Sequence, residues 1–169
     1  FTDVNGTLFF QANDGTNGQE LWKSDGTATG TTLVKDIRTG SSGSSPNNFT
    51  DVNGTLFFQA NDGTNGSELW KSDGTEAGTT LVKDIRTGSS GSSPNNFTDV
   101  NGTLFFQAND SINGQEIWKS DGTEAGTTLV KDIRLGSSGS YPQNLTDVNG
   151  TLFFTASDPE GQELWKINP

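Results

Sequence analysis

The chain has 169 residues, of which only 28% are hydrophobic, and it carries a formal net charge of −11. This acidity argues against a nucleic-acid or anionic-membrane partner, because both require basic patches. The sequence has no Cys and no His, which excludes the usual zinc sites, thiol nucleophiles and Ser-His-Asp triads. Low hydrophobicity with high charge is typical of disorder, but the apolar residues recur at fixed positions. This regularity indicates a folded repeat protein.

The repeat is 48 residues long. The hexapeptide that starts at Phe1 returns at Phe49 and Phe97 and, with Leu in place of Phe, at Leu145. The first two units differ at only three positions. The predicted blades are 1–48, 49–96 and 97–144, followed by a partial unit at 145–169.

Each complete unit predicts four short β-strands. In the second unit, the first strand (48–52) ends in Asn-Gly, which is typical of a tight hairpin turn. The second strand (55–60) is apolar on both faces, so we expect both faces to be covered. The third strand (67–72) contains Trp70, and the fourth spans 79–85.

Four strands per unit, separated by turns and without helical periodicity, predict an all-β fold of β-propeller type. It would have three complete four-stranded blades and a fourth that lacks its outer strand. Each sheet would pack face to face on the next. The Gly/Ser-rich segment 40–45 and its copies would connect the outer strand of one blade to the inner strand of the next. A stacked β-solenoid is the alternative, whereas separate beads are disfavoured because a lone four-stranded sheet cannot bury both faces.

All four tryptophans occupy one position of the octet Glu-Leu-Trp-Lys-Ser-Asp-Gly-Thr, which predicts that they are packing anchors. Glu-Leu-Trp, two residues, Asp-Gly-Thr and a later Val-Lys-Asp-Ile occur at 20–37, at 68–85 and, with Ile117 in place of Leu, at 116–133. The chain thereby resembles the ELWxxDGT-repeat family of large secreted or surface proteins of bacteria. The resemblance covers essentially the whole chain and implies a propeller-type repeat protein, but no established activity. The last unit departs from the pattern because it lacks the Asp-Gly-Thr turn and the fourth strand.

The loop between the second and third strands offers oxygen ligands at close spacing. Calcium is bound by about six to eight oxygens, so these loops are candidate calcium sites and calcium is the candidate cofactor. The alternative is a hairpin turn in which Asn, Asp and Gly serve only the backbone. The candidate ligands are Asn13, Asp14, Asn17 and Glu20, then Asn61, Asp62, Asn65 and Glu68, then Asn109, Asp110, Asn113 and Glu116.

Two further aspartates recur in each unit. We expect Asp25 and its copies to cap their own Asp-Gly-Thr turns by accepting backbone N–H groups. Asp3 and its copies lie on the predicted innermost strand, where like charges that approach the axis either bind a cation or raise each other's pKa. A solvated channel lining is the favoured interpretation.

The near identity of the units argues against an enzyme. Two catalytic carboxylates need different environments, whereas each unit repeats the same one. Equivalent loops on one face instead favour multivalent binding, because weak sites reinforce one another through effective concentration. The predicted function is a non-catalytic, lectin-like binding or adhesion module, extracellular or at the cell surface, for a glycan or cell-surface partner. The candidate ligand-binding amides, which suit sugar hydroxyls, are Asn17, Gln19, Asn65, Asn113 and Gln115.

The incomplete fourth unit suggests an alternative, structural function. An unpaired strand edge at 163–167 would be an aggregation hazard unless something covers it. We expect a second copy or the remainder of a longer repeat chain to do so, which would assemble the blades into a closed ring, an array or a filament. Neither function involves nucleic acid or membrane insertion.

Overall fold

The computed structural model describes residues 1–168, which contain fifteen β-strands and no helix. Three sheets have four antiparallel strands, the last has three, and each follows chain order. This is an all-β, propeller-like fold, which confirms the predicted class. The strands are β1 Thr2–Val4, β2 Thr7–Asn13, β3 Gln19–Ser24, β4 Thr32–Lys35, β5 Asn47–Val52, β6 Thr55–Asn61, β7 Ser67–Ser72, β8 Thr80–Lys83, β9 Asn95–Val100, β10 Thr103–Asn109, β11 Gln115–Ser120, β12 Thr128–Lys131, β13 Gln143–Val148, β14 Thr151–Asp158 and β15 Gly161–Ile167.

The strands predicted for the second unit agree with these bounds to within two residues at each end. The inner strands β5, β9 and β13 begin two residues before the unit boundaries at 49, 97 and 145. The outer strand β8 is shorter than the predicted 79–85. It ends at Lys83 because the N–H of Ile85 donates to the Glu68 carboxylate (3.2 Å) and so is not free for strand pairing.

The inner hairpin forms where Asn-Gly predicted it. Asn5 and Gly6 both have positive φ, 52° and 81°, as the turn that joins two closely paired strands requires. The N–H of Gly6 donates to the Asp3 carboxylate (2.9 Å). The copies of Asp3 make the same bond, so these recurring aspartates cap the hairpin turns.

The core lies between blades. Each sheet has a front face, which in blade 1 carries Val4, Phe9 and Leu21, and a back face, which in blade 2 carries Phe58 and Trp70. The front face of blade 1 packs on the back face of blade 2. The same arrangement repeats between blades 2 and 3 and between blades 3 and 4. The central strands of blades 2 and 3 are therefore covered on both sides, as their sequence predicted.

The tryptophans are packing anchors only where a blade lies against them. Trp70 and Trp118 are almost completely buried in the cores between blades. Trp22, on the back face of blade 1, is only partly buried. Trp165 is also partly buried, and the Lys131 ammonium lies 4.6 Å from its ring centroid.

The row of blades has two open ends. Leu8, on the back face of blade 1, is 39% exposed, whereas its copies in the other blades are fully buried. Leu164, on the front face of blade 4, is 72% exposed, although the equivalent residues in blades 1 to 3 are also fully buried. Within residues 1–168, no blade covers either of these two faces.

The difference between covered and open faces predicts unequal costs for two tryptophan substitutions. We expect Trp70→Ala to lower the free energy of unfolding by about 3–5 kcal/mol, as large core truncations do. We expect Trp22→Ala to cost less than half as much, because its ring packs on one side only. Urea denaturation of the two variants measures the difference. A loss below about 1 kcal/mol for Trp70→Ala would contradict its assignment to the core.

Candidate functional site

The candidate residues lie at two opposite ends of the blades. Because each sheet is a meander, the β1–β2 and β3–β4 turns lie at one end, which we call the hairpin end. The β2–β3 loop lies at the other, which we call the linker end. There the Gly/Ser segment packs on the loop: the N–H of Ser45 donates to the carbonyl of Gln19 (3.0 Å). A Cβ added to Gly18 would lie 2.5 Å from the backbone nitrogen of Gly43, so this approach requires glycine.

The linker-end loop is a turn held by its own side chains. One Asp14 oxygen accepts the N–H groups of Thr16 and Asn17, and the other accepts the Asn17 side-chain amide, all at 2.8 Å. The N–H groups of Asn17 and Thr16 lower the pKa of Asp14 below its usual value. Asp62 and Asp110 make the same set of contacts.

The glutamate that follows this loop is turned toward the interior. Glu20 is fully buried and accepts the N–H groups of Ile37 (3.1 Å), Arg38 (3.2 Å) and Ser44 (2.8 Å), together with the Ser44 hydroxyl. Glu68 repeats all four hydrogen bonds and Glu116 repeats three of them. Each glutamate thereby fastens the linker to its own blade.

Burial and hydrogen bonding shift the pKa values of these glutamates in opposite directions. Desolvation raises the pKa of Glu20, Glu68 and Glu116, and the surrounding donors offset part of that rise. The pKa of Glu68 reaches about 7. These carboxyls therefore carry a pH-dependent share of the stability.

The predicted calcium ligands fall into two separate networks. The aspartate oxygens of each loop accept hydrogen bonds within the loop, whereas the glutamate oxygens accept hydrogen bonds from the linker. The part of the chain that the structure describes contains no group of three acidic side chains that could hold a metal ion. Calcium binding at these loops stays a prediction.

The predicted ligand-binding amides also have partners inside the protein. The amides of Asn17, Asn65 and Asn113 donate to the loop aspartates. The Gln19 side-chain oxygen accepts the Gln11 amide (2.9 Å), and Gln115 does the same for Gln107. A role of these residues in ligand binding stays a prediction.

Sequence reasoning missed two equivalent clefts at the hairpin end. One lies between blades 1 and 2 and the other between blades 2 and 3, with volumes of about 160 and about 180 Å³. The first is lined by Val4, Asn5, Thr7, Phe9, Lys23, Gly54, Asp73 and Gly74. The second is lined by the corresponding Val52, Asn53, Thr55, Phe57, Lys71, Gly102, Asp121 and Gly122.

Each cleft combines groups of opposite charge over an apolar floor. The Lys23 ammonium donates to the carbonyl of Gly74 in the next blade (2.8 Å). Asp73 accepts the hydroxyl (2.7 Å) and the N–H (2.8 Å) of Thr75, which lower its pKa. Asp73 thus stays ionised, and the predicted capping role of Asp25 and its copies is confirmed.

The clefts were missed because they form between repeats. Lys23 and Gly74 are 51 positions apart, and no local spacing connects them. The available signal was the recurrence of Lys-Ser-Asp-Gly, which places a lysine and an aspartate in every complete unit. Blade 4 lacks the Asp-Gly-Thr sequence, so the boundary between blades 3 and 4 does not offer the same set of lining residues.

No family model and no curated protein matches the chain. Among solved structures, it resembles a puromycin hydrolase mutant complexed with PGG, with a TM-score of 0.65 and 14% identity over 96% of this chain and 25% of that one. It also resembles a structure from a study of two prolyl endopeptidases, with a TM-score of 0.56 and 14% identity over 95% and 24%. The chain thus spans about a quarter of each. At this identity, the likeness shows a propeller-type fold alone. No helix among the described residues is long and apolar enough to cross a membrane.

The raised pKa of Glu68 predicts an acid-shifted stability profile. Between about pH 4.5 and 7 the folded state holds a proton that the unfolded state has released, so the free energy of unfolding falls as the pH rises. We expect Glu68→Gln, which mimics the protonated acid, to reduce this slope. The exposed Glu76 provides the control variant Glu76→Gln, which should leave the slope unchanged. Thermal melts across this pH range test the prediction, and an equal slope in Glu68→Gln and wild type would contradict it.

Proposed function

We propose that the chain is a non-catalytic, multivalent binding or adhesion module, extracellular or at the cell surface, whose partner is a glycan or a glycan-bearing cell-surface protein. The observation that supports this proposal is the pair of equivalent clefts at the hairpin end. The same side chains are presented twice, at successive blade boundaries.

The chemistry of a cleft suits a polyhydroxylated ligand. Asn5 offers an amide, Thr7 a hydroxyl and Asp73 a carboxylate, which together can donate to and accept from sugar hydroxyls. The hydroxyls of Thr7 and Thr55 have no hydrogen-bond partner within residues 1–168. Each cleft is smaller than the roughly 300–1,000 Å³ of a site for a drug-sized ligand. A single sugar residue therefore fits better than an extended molecule.

Repetition favours binding over catalysis. Two weak sites on one scaffold reinforce each other when the ligand is itself repetitive, as a glycan or a cell surface is. General acid–base catalysis needs two groups with different pKa values in one site, whereas the units provide near-identical environments. The lack of His and Cys removes the commonest catalytic bases and nucleophiles.

A glycan array tests this function. We expect wild type to bind one class of sugar and the double variant Thr7→Val/Thr55→Val to bind at least about tenfold more weakly, since each cleft loses a hydrogen bond. Valine keeps the branched shape that a strand favours. The matched control is Thr103→Val, at the equivalent position of blade 3, which faces a blade without the Asp-Gly-Thr sequence; it should bind like wild type. No binding at high protein concentration, or equal binding by the double variant, would refute the proposal.

Calcium assistance is a separate prediction of the sequence. An extracellular-type site with a dissociation constant of about 10⁻⁴–10⁻³ M would add about 1–3 kcal/mol of stability in 10 mM calcium. We expect calcium to raise the melting temperature, chelation to reverse the rise, and Asp62→Asn to weaken it. Asp121→Asn, at the other end of the molecule, should respond to calcium like wild type. Identical melting in calcium and in chelator would exclude these sites.

A further inference from the structure

We propose that the cleft between blades 2 and 3 continues into a second subsite on blade 2, and that the two together bind neighbouring units of one neutral, linear glycan chain. This inference rests on the proposed function, because it names the form of glycan that the clefts would take. The second subsite is a surface cavity at the hairpin end, which we call the outer cavity. It has a volume of about 380 Å³ and is lined by Thr55, Lys71, Ser72, Asp73, Gly78 and Thr80.

The outer cavity adjoins the cleft. Thr55 and Lys71 line both of them. The Lys71 ammonium donates to the carbonyl of Gly122 in blade 3 (2.9 Å), which fixes the lysine at the border between the two spaces. The cleft by itself holds one sugar residue, whereas the outer cavity reaches the roughly 300–1,000 Å³ that larger ligands occupy. A glycan that fills the cleft can therefore continue past Lys71 into the outer cavity.

The strand register of blade 2 gives the direction of this path. Phe57 in β6 is paired with Lys71 in β7, and Lys71 is paired with Thr80 in β8. Directly paired residues lie on the same face of a sheet, so the three form a row across the front face. Phe57 lines the cleft and Thr80 lines the outer cavity. Because neighbouring strands are about 4.8 Å apart, the row extends over about 10 Å, which is longer than one sugar ring.

The polar groups of the outer cavity can serve sugar hydroxyls. The Lys71 ammonium has three donors, of which the carbonyl of Gly122 accepts one. The hydroxyl and the N–H of Thr75 both donate to Oδ1 of Asp73, which leaves Oδ2 to accept from a ligand. The exposed Thr80 hydroxyl can donate and accept. A sugar hydroxyl also does both, so it can bind at each of these groups.

The charges of the outer cavity favour a neutral glycan. The hydroxyl and the N–H of Thr75 hold the pKa of Asp73 below its usual value, so a carboxylate and the Lys71 ammonium line one space. A Cβ added to Gly78 would overlap that carboxylate, so glycine is what allows Asp73 to lie there. A charged sugar would be attracted by one of the two groups and repelled by the other. The net charge of −11 argues further against an acidic glycan.

Blade 1 offers the same row at its boundary with blade 2. There Phe9 is paired with Lys23, and Lys23 is paired with the exposed Thr32. A test must therefore change Thr32 together with Thr80. The equivalent threonine of blade 3 is Thr128, which is also exposed, but blade 3 faces a blade without the Asp-Gly-Thr sequence. Thr128 thus provides a matched control.

Calorimetric titration with ligands of increasing length tests the inference. The ligands are the single sugar that the glycan array selects and its linear oligomers of two to four units. We expect the two-unit oligomer to bind wild type at least about tenfold more tightly than the single sugar, because the second unit adds hydrogen bonds in the outer cavity. Equal affinities, or an array that selects only charged sugars, would overturn the inference and leave the proposed function intact. No binding on the array would refute the proposed function and the inference with it.

Two double variants separate the subsites. We expect Thr32→Val/Thr80→Val to reduce the gain from the second sugar unit to below about threefold, with little change in the affinity for the single sugar. In contrast, Thr7→Val/Thr55→Val should weaken the binding of both ligands, since these threonines line the clefts. Thr128→Val should bind both like wild type, and circular dichroism verifies that each variant folds. A full gain in Thr32→Val/Thr80→Val, or an equal loss for both ligands, would contradict a separate outer subsite.

Discussion

The packing of one small sheet on the next is the constraint on which this molecule depends. A four-stranded sheet with apolar residues on both faces is not stable until both faces are covered. Each blade covers one face of its neighbour. Phe57 and Phe58 are adjacent in the chain but contribute to different cores, one on each side of blade 2. The hydrophobic content of 28% is sufficient because the central strands of blades 2 and 3 each contribute to two cores. Within residues 1–168, the back face of blade 1 and the front face of blade 4 are the faces that no other blade covers.

The buried glutamates hold the linkers between successive blades in place. Glu20, Glu68 and Glu116 organise the backbone that leaves each blade, since their oxygens accept an N–H group before the Gly/Ser segment and a serine hydroxyl near its end. That segment has no apolar side chains with which to pack, so hydrogen bonds determine its course. Near the end of this segment, the carbonyl of Ser44 accepts the N–H of Asn61 in the following blade (3.0 Å). Glu163, at the equivalent position of blade 4, is exposed.

The two equivalent clefts arise from the same repetition. Because Lys23 and Lys71 reach equivalent carbonyls in the next blade, the boundaries produce equivalent clefts. The proposed binding of a repetitive ligand depends on this equivalence.

The sequence by itself determined the local structure. Asn5-Gly6 specified the inner hairpin, the recurring Asp-Gly-Thr specified its own capped turn, and the 48-residue period specified the blades. These features depend on contacts within a few positions, which a sequence displays directly. Only the tertiary structure decided which groups meet across blades. It turned Glu20 away from the oxygen-rich loop toward the linker, left Trp22 half-buried while Trp70 is covered, and placed Lys23 beside Gly74. The physical reason is that burial and long-range hydrogen bonds arise between two neighbouring repeats. Residues at equivalent positions therefore differ in burial when only one of them lies against another blade.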